Sequence, residues 1–208
     1  MNGDGANAEY HVASESIVAK KPDNISHTEA ASVPVAGGTA WAALINRADI
    51  KVGETVLIHG GAGGVGSFAI QIAKTAGAYV YTTCGSYDFD LVKSIGADRA
   101  IDYRSEDFVD IIIKETRGAG VDVVLTTVGG EILAKNLAVI KQGGRAVTVT
   151  IGVQGDLDPA IFKNITVHFV RLVVGMIFPL NQAALAHKKL EVGGSDVHGK
   201  IVLQVVPV

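Results

Sequence analysis

The sequence contains a single cysteine, Cys84, among 208 residues. One thiol cannot form a disulfide within the chain, and it cannot build a zinc site that needs several thiolates. No apolar run approaches the ~20 residues that cross a bilayer. The first residues, MNGDG, have neither the basic nor the apolar character of a signal peptide. These absences predict a cytoplasmic protein without a membrane span.

Charged residues are also few, at 19%, and the net charge is only −3. Lys and Arg are dispersed along the chain, so no basic face indicates binding to nucleic acid or to an anionic membrane. A hydrophobic content of 48% is instead typical of a compact chain with a buried core. The length suits one domain with material left for part of a second.

From Glu54 onward, strand-like and helix-like segments alternate with short glycine-rich joins. The predicted strands are Thr55–His59, Tyr79–Cys84, Arg99–Tyr103, Val121–Val128, Arg145–Ile151 and Thr166–Val174. The predicted helices are Val65–Ala76, Phe89–Ile95, a helix capped by Ser105 that runs to Thr116, Glu131–Lys141, and a short one near Pro159–Lys163. Parallel neighbours need crossover connections, so this alternation predicts an α/β fold with a doubly wound, six-stranded parallel Rossmann sheet in the order 3-2-1-4-5-6.

The two flanks do not follow this alternation. Residues 8–21 are predicted to form a lone strand, and Ser26-His27-Thr28-Glu29 is a capping box that opens a helix towards Ala31. At the other end, Asn181–Leu190 is predicted to be helical and Lys200–Val206 to be a strand. We expect the flanks to belong to a different domain.

Five glycines lie within the seven residues Gly60 to Gly66. Gly61-x-Gly63-x-x-Gly66 follows a predicted strand and opens a helix, which is the context of a dinucleotide-binding turn. Gly61 would permit the tight turn, Gly63 the approach of a pyrophosphate, and Gly66 close packing of helix on strand. The pyrophosphate would rest on the N–H groups of the helix start.

The alternative is a glycine-rich turn without a ligand, which does not explain so many residues that are costly to order. A mononucleotide P-loop is excluded because no Gly-Lys-Ser/Thr follows the turn.

The tip of the second strand indicates which dinucleotide binds. NAD-binding proteins usually carry an acidic residue there for the ribose hydroxyls, whereas this tip is Thr-Thr-Cys-Gly-Ser and ends at Ser86. A neutral tip leaves room for a 2′-phosphate, and Ser86, Tyr103 and Arg104 would reach it. This favours NADP(H) over NAD(H). The alternative is that Ser86 caps the helix at Tyr87 and that Arg104 is an ordinary solvated charge.

The chain resembles the medium-chain dehydrogenase/reductase superfamily, specifically its quinone oxidoreductase-like (zeta-crystallin-like) branch. The similarity is carried by ETVLIHGGAGGVGSFAIQIAKTAGAYVYTT (54–83), SIGADRAIDYRSEDF (94–108), GAGVDVVLTTVGGE (118–131) and GGRAVTVTIG (143–152). EAASVPVAGGTAWAALI (29–45) resembles the entry into the nucleotide domain. The segments from residue 178 to 205 resemble the C-terminal part of the family.

The resemblance implies roles for particular residues. Gly63, Gly64, Val65 and Gly66 match the pyrophosphate contacts, and Ser86 and Tyr103 match positions that hold the 2′-phosphate in NADPH-using members. Thr127, Val128, Gly152 and Thr39 match positions on the nicotinamide side. Many NADPH-using relatives carry a lysine shortly after the position of Ser86, where this chain has Phe89.

Two further departures concern length. Family members begin with a catalytic domain of about a hundred residues, so the resemblance implies that most of that domain is absent here. The expected division is a catalytic-domain remnant at 1–35, a dinucleotide-binding domain at 36–175, and a return to the catalytic domain at 176–208. A helix usual in relatives is also missing between Gly175 and Met176.

No independent active site is evident in the sequence. It has no Tyr-x-x-x-Lys pair, no Gly-x-Ser-x-Gly elbow, and no metal-ligand spacing among its six histidines. His59 is predicted to pack at a strand end rather than act as an acid, and Cys84 to be a small core residue. No catalytic residue and no metal ligand can therefore be named.

The resemblance implies an NADP(H)-dependent oxidoreductase that transfers hydride from NADPH to a quinone or conjugated carbonyl. The alternatives are a zinc-dependent alcohol dehydrogenase of the same superfamily and a non-catalytic NADP(H)-binding short form. The sixth predicted strand, Thr166–Val174, has no proline and one strong charge, so it is poorly suited to face water. It predicts a homodimer that pairs through this strand.

Overall fold

A six-stranded parallel sheet forms the centre of the protein. The structure, a computed structural model, describes residues 12, 18–150 and 155–170. The strands are β1 (Thr55–His59), β2 (Tyr79–Cys84), β3 (Arg99–Asp102), β4 (Val121–Thr126), β5 (Ile140–Thr148) and β6 (Thr166–Phe169). Their order is β3-β2-β1-β4-β5-β6, and every neighbouring pair is parallel. The predicted fold class and strand order are confirmed.

The helices of the described residues comprise one before β1 and one between each pair of consecutive strands. They are α1 (His27–Trp41), α2 (Gly64–Thr75), α3 (Phe89–Ser94), α4 (Phe108–Glu115), α5 (Ile132–Val139) and α6 (Asp158–Phe162). A π-helical segment, Ala42–Arg47, continues α1, and a 3₁₀ turn, Ser86–Asp88, precedes α3.

Alternate residues of the strands build two separate cores, one on each face of the sheet. Val56 and Ile58 of β1 pack into the core that includes α2, whereas Leu57 between them packs into the core with α4 and α5. All three side chains are fully buried. Burial on both faces explains why these three consecutive residues of β1 are all apolar rather than alternating with polar ones, as is typical of parallel strands under crossover helices.

The first helix starts at the predicted capping box. Ser26 Oγ accepts a hydrogen bond from Glu29 N at 3.2 Å, and a carboxylate oxygen of Glu29 accepts one from Ser26 N at 2.7 Å, which completes the capping box. The helix then passes through Ala31 and Pro34 and ends at Trp41. It continues because small residues seat it on α2, where a Cβ on Gly37 would touch the ring of Phe68.

Other predicted elements also differ from the structure. The cap of α4 is Asp107, whose carboxylate accepts from Val109 N at 2.8 Å, because Ser105 is held in the turn after β3 by the carbonyl of Asp102. β5 begins at Ile140 rather than Arg145, with a register irregularity against β4 that takes up the extra residues. Val18–Lys21 is not a strand, since the only sheet of the described residues consists of β1 to β6.

Several predictions fall outside the described residues. These are Gly152, the end of the sixth strand beyond Val170, the helix Asn181–Leu190 and the strand Lys200–Val206. The domain boundaries at residues 35 and 175 stay predictions. In the described part of the chain, no helix is long and apolar enough to span a membrane.

Candidate dinucleotide-binding site

The glycine turn joins the end of β1 to the start of α2. The backbone N–H groups of Gly60 and Gly61 both donate to the carbonyl oxygen of Thr83, each at 3.0 Å, so the turn is fastened to the end of β2. Gly63 N then donates to Gly60 O at 3.0 Å. The turn is therefore held by backbone bonds and presents its outer surface at the carboxyl edge of the sheet.

Each glycine of the motif is required for a different reason. Gly60 has the left-handed φ of +71°, so it makes the tight turn that the sequence had assigned to Gly61. A Cβ on Gly61 would lie 2.1 Å from Thr82 Oγ1, and one on Gly66 would lie 2.1 Å from Gly60 O. Real Cβ atoms do not approach other atoms so closely. Gly61 therefore fits under β2, and Gly66 lets α2 pack directly on the end of β1.

Gly63 differs because it is exposed and has an ordinary φ of −75°. Its Cβ would lie 3.1 Å from Gly60 O, a tight but tolerable distance. Gly63 is the N-cap of α2 and has no side chain to cap the helix. The N–H groups of the first helical turn, from Gly64 to Gly66, lack acceptors within the helix and point to where an anion would be stabilised.

A cavity of about 540 Å³ opens beside this turn. It is lined from the end of β1 by His59 and Gly60, from β2 by Cys84, and from the segments after β3 and β4 by Phe108 and Val128. The cavity lies where the strand order reverses, since β1 pairs with β2 on one side and with β4 on the other. Open parallel sheets bind their ligands at this position.

The tip of β2 carries a clamped arginine. The guanidinium carbon of Arg104 lies 5.1 Å from the ring centre of Tyr87 and 5.0 Å from that of Tyr103, which places the cation between two aromatic rings. A Cβ on Gly85 would lie 2.9 Å from Arg104 Nη1. Arg104 is exposed, as are both tyrosine side chains, so these ring contacts lie at the solvent-facing surface.

Ser86 belongs to the same tip and does not cap the following helix. The 3₁₀ turn has Gly85 as its N-cap and no side-chain cap. The hydroxyl of Ser86 is hydrogen-bonded to Asp102 at the end of β3. The N–H of Arg104 also donates to this carboxylate at 3.1 Å. That bond, followed by the hydroxyls of Ser86 and Ser105, lowers the pKa of Asp102.

The predicted residues of the nicotinamide side lie in two places. Val128 is exposed at the end of β4 and lines the cavity, whereas the hydroxyl of neighbouring Thr127 donates to His59 O at 2.6 Å and braces the turn. Thr39 is buried in α1, where its hydroxyl donates to Val35 O at 2.6 Å.

His59 is fully enclosed beneath the turn. Its Nδ1 lies 3.0 Å from Thr83 Oγ1 and its Nε2 lies 2.7 Å from Asn136 Oδ1. Burial lowers the pKa of His59 to about 4, against the opposing effect of Asn136. The predicted packing role is confirmed, because a neutral ring with both nitrogens occupied has no free proton to donate. Sequence reasoning missed Asn136, whose only signal was an amide on the buried face of α5, between Leu133 and Leu137.

Cys84 is buried at the end of β2. Burial, followed by the nearby charges of Asp88 and Asp102, raises the pKa of its thiol to about 11. A thiol held in its protonated form is a poor nucleophile, which agrees with the predicted core role. Within residues 18–150 and 155–170, no group of three or more His, Cys, Asp or Glu side chains could hold a metal ion.

A parallel sheet with this strand order, a glycine turn against its first strand and a cavity at the reversal of the strand order define a dinucleotide-binding Rossmann domain. The family model described as "Zinc-binding dehydrogenase" matches residues 64–188. The chain belongs to this family, within the medium-chain dehydrogenase/reductase superfamily.

Two curated relatives illustrate the similarity. The chloroplast envelope quinone oxidoreductase homolog of Arabidopsis thaliana is 35% identical over 185 residues, which is 85% of this chain and 54% of that protein. The mycocerosic acid synthase-like polyketide synthase of Mycobacterium tuberculosis is 30% identical over 237 residues, covering 99% of this chain and 11% of that protein. The chain thus spans about half of the first relative and a small part of the second.

Solved structures agree with the fold. An NAD-dependent alcohol dehydrogenase superimposes with a TM-score of 0.86 at 31% identity, over 97% of this chain and 66% of that one. The CurK enoyl reductase gives a TM-score of 0.75 at 28% identity, over 89% of this chain and 65% of that one.

Proposed function

We propose that this chain is the cofactor-binding part of an NADP(H)-dependent reductase that acts on a quinone or a conjugated carbonyl. Its membership in an oxidoreductase family and its similarity to a quinone oxidoreductase homolog and an enoyl reductase support the reaction class. A bound nicotinamide would supply the hydride, and the substrate would be a small molecule with an electron-poor double bond or carbonyl.

The observation that carries the proposal is the fit of the glycine turn to a pyrophosphate. The two buried glycines, Gly61 and Gly66, close the backbone tightly, while exposed Gly63 leaves the start of α2 open. The N–H groups of Gly64 and Val65 would hold the pyrophosphate at this helix start. The adjoining cavity lies beside the turn, at the reversal of the strand order, and would receive part of the dinucleotide.

Preference for NADP(H) is supported by the charges at the tip of β2. Arg104, clamped by Tyr87 and Tyr103, would place a cation where the adenosine 2′-phosphate needs one. It would serve in place of the lysine that many relatives carry near Phe89. Asp102 lies at the end of β3 rather than at the tip of β2, where NAD-binding proteins usually carry their acidic residue, and its carboxylate already accepts from Arg104 N, Ser86 and Ser105.

A second candidate is a non-catalytic NADP(H)-binding form, favoured by one specific observation. His59 and Cys84, which line the cavity at the ends of β1 and β2, are buried and are held as a neutral ring and a protonated thiol, so neither is placed to donate a proton to a substrate. The other alternative is a zinc-dependent alcohol dehydrogenase. Among the described residues no group of three or more His, Cys, Asp or Glu side chains could hold a metal ion, so no step of the mechanism is assigned to zinc.

Calorimetric titration with NADPH and, separately, with NADH tests the cofactor. We expect the affinity for NADPH to be at least about tenfold higher than that for NADH, because Arg104 would form an ion pair with the 2′-phosphate. Arg104→Gln should lower the affinity for NADPH by about tenfold and leave the affinity for NADH unchanged. Arg117→Gln is the matched control, since it removes one exposed charge after α4, at the amino edge of the sheet. Absence of binding by either nucleotide would contradict the proposal.

Turnover separates the two candidates. With NADPH and phenanthrenequinone, a reductase oxidises NADPH faster than the protein-free background. A protein that binds NADPH but shows no excess oxidation is the non-catalytic form.

A further inference from the structure

A buried polar network lies directly beneath the glycine turn, and the function proposed above does not use it. It comprises His59 at the end of β1, Thr83 in β2, Thr126 at the end of β4 and Asn136 in α5. These side chains are all at least 94% buried. The network joins three adjacent strands to a helix at the point where the strand order reverses.

The hydrogen bonds of this network have one consistent direction. Asn136 Nδ2 donates to Thr126 Oγ1 at 2.8 Å, so the other amide atom, Oδ1, must accept from His59 Nε2 at 2.7 Å. Nε2 therefore carries the ring proton, and Nδ1 is the acceptor for the Thr83 hydroxyl at 3.0 Å. Thr83 Oγ1 in turn lies 3.3 Å from Gly60 N and accepts from it.

We propose that His59, as the neutral Nε2–H tautomer, is a positioning residue for the dinucleotide pyrophosphate and acts through Thr83 on the Gly60–Gly61 turn. The inference rests on the proposed dinucleotide binding. The ring of His59 fixes the rotamer of Thr83, because its Nδ1 accepts a hydrogen bond from the hydroxyl of that residue. The hydroxyl oxygen is thereby aimed at Gly60, beside the Thr83 carbonyl that accepts from Gly60 and Gly61.

The neutral ring is essential to this arrangement. An imidazolium would present a second N–H towards Thr83, whose hydroxyl would then have to turn its proton elsewhere. The ring is also fixed by Phe108, which meets it edge-on at 4.8 Å between centroids. His59 and Phe108 both line the cavity, so the same contact shapes the site next to the turn.

The test compares two ligands that differ in the part that the turn would hold. NADPH contains the pyrophosphate, whereas adenosine 2′-monophosphate has only the adenosine and the 2′-phosphate. Thr83→Val and His59→Gln should each lower the affinity for NADPH by about tenfold. Each should change the affinity for adenosine 2′-monophosphate by less than about twofold. Thr83→Ser, which keeps the hydroxyl, should restore NADPH binding.

A matched control is available at the opposite edge of the sheet. Thr116 Oγ1 also accepts from a glycine, Gly120 N, at 2.9 Å and donates to a carbonyl, Ile112 O, at 2.6 Å. Thr116→Val therefore removes an equivalent pair of hydrogen bonds far from the turn, and its NADPH affinity should equal that of the unmodified protein.

The double variant His59→Gln/Thr83→Val gives a second readout. Since both substitutions break one shared hydrogen bond, the double variant should bind NADPH no more weakly than either single variant. Additive losses, equal losses for both ligands, or unchanged NADPH binding in Thr83→Val would overturn the inference. If the unmodified protein binds neither nucleotide, the proposed function fails first.

Nitrogen-15 NMR of the unmodified protein does not depend on any variant folding. His59 should show Nε2 as the protonated nitrogen and Nδ1 as the unprotonated one at neutral pH. Protonation at Nδ1 would contradict the inference.

Discussion

The Cβ atom that Gly66 lacks would lie 2.1 Å from the carbonyl oxygen of Gly60. Backbone therefore meets backbone where α2 leaves the sheet, and neither partner is a flexible side chain that can move aside. Gly66→Ala should lower the free energy of unfolding by about 2–4 kcal/mol, as overpacking and displacement of a backbone do. Urea unfolding measures the loss.

The control for this substitution lies in α1. A Cβ on Gly38 would meet nothing within 4 Å, and alanine favours a helix over glycine by about 1 kcal/mol. Gly38→Ala should leave stability unchanged or raise it slightly. Equal losses in the two variants would show that the close approach at Gly66 is not the cause.

Gly63→Ala should separate binding from folding. Its Cβ would be tolerated by the turn at 3.1 Å from Gly60 O, but it would project into the space at the start of α2. We expect the melting temperature to stay within about 2 °C, equivalent to a few tenths of a kcal/mol. NADPH affinity should fall by about tenfold or more. Normal affinity would mean that the pyrophosphate lies elsewhere.

The lowered pKa of His59 predicts a pH dependence of stability. The folded protein keeps this ring neutral down to about pH 4, whereas an unfolded chain binds a proton near pH 6.5. The contribution is fully present above pH 6.5 and is lost as the pH falls to about 4, and amounts to about 3 kcal/mol. Asp122, whose pKa is lowered below 3.8, acts only in more acidic solution.

Urea unfolding between pH 7 and 4.5 measures this slope. His59→Gln should unfold more easily at pH 7, yet its stability should change little across the same interval. A slope that persists in His59→Gln would assign the effect to other groups.

The thiol of Cys84 provides a test of burial. Because burial raises its pKa to about 11, the folded protein should not react with a disulfide reagent such as DTNB at pH 8. In denaturant, one equivalent should react at once, since the chain has one cysteine. Rapid labelling of the folded protein would show that the end of β2 opens in solution.

We propose, as a further prediction, that two copies of the chain pair through β6. Among the described residues no strand pairs with the outer edge of β6, and Phe169 on it is 63% exposed. Light scattering at micromolar concentration should give a dimer, and Phe169→Lys should shift it towards monomer. Phe162→Lys, on α6 and 84% exposed, is the control that should remain dimeric. A monomeric unmodified protein would exclude the pairing.

The strand order and the glycine turn were predictable because their signals are local. An apolar strand, a glycine-rich turn and a helix follow one another within about 20 residues, and the alternation repeats along the chain. The same reasoning misplaced the cap of α4, because Ser105 and Asp107 are both good caps and only the position of Asp102 decides between them. It also placed the start of β5 too late, since the irregularity between Ile140 and Arg145 depends on pairing with β4.

The network under the turn was beyond sequence reasoning for a different reason. His59 and Asn136 are 77 residues apart, so nothing near either residue indicates the other. Only one of the two ring contacts of Arg104 could be expected from the sequence. Tyr103 is its neighbour in sequence, whereas Tyr87 is brought to it by the pairing of β2 with β3.

The position of β1 between β2 and β4 also determines when the protein can fold. One side of β1 pairs with β2, which begins 20 residues after β1 ends. The other side can pair only once β4 is present, where Thr55 N donates to the carboxylate of Asp122, 67 residues along the chain. A nascent chain that ends before Val121 leaves β1 with an open edge in its most apolar stretch. Folding is therefore slow by the standard of local topologies, and a chain interrupted at this stage is prone to aggregate.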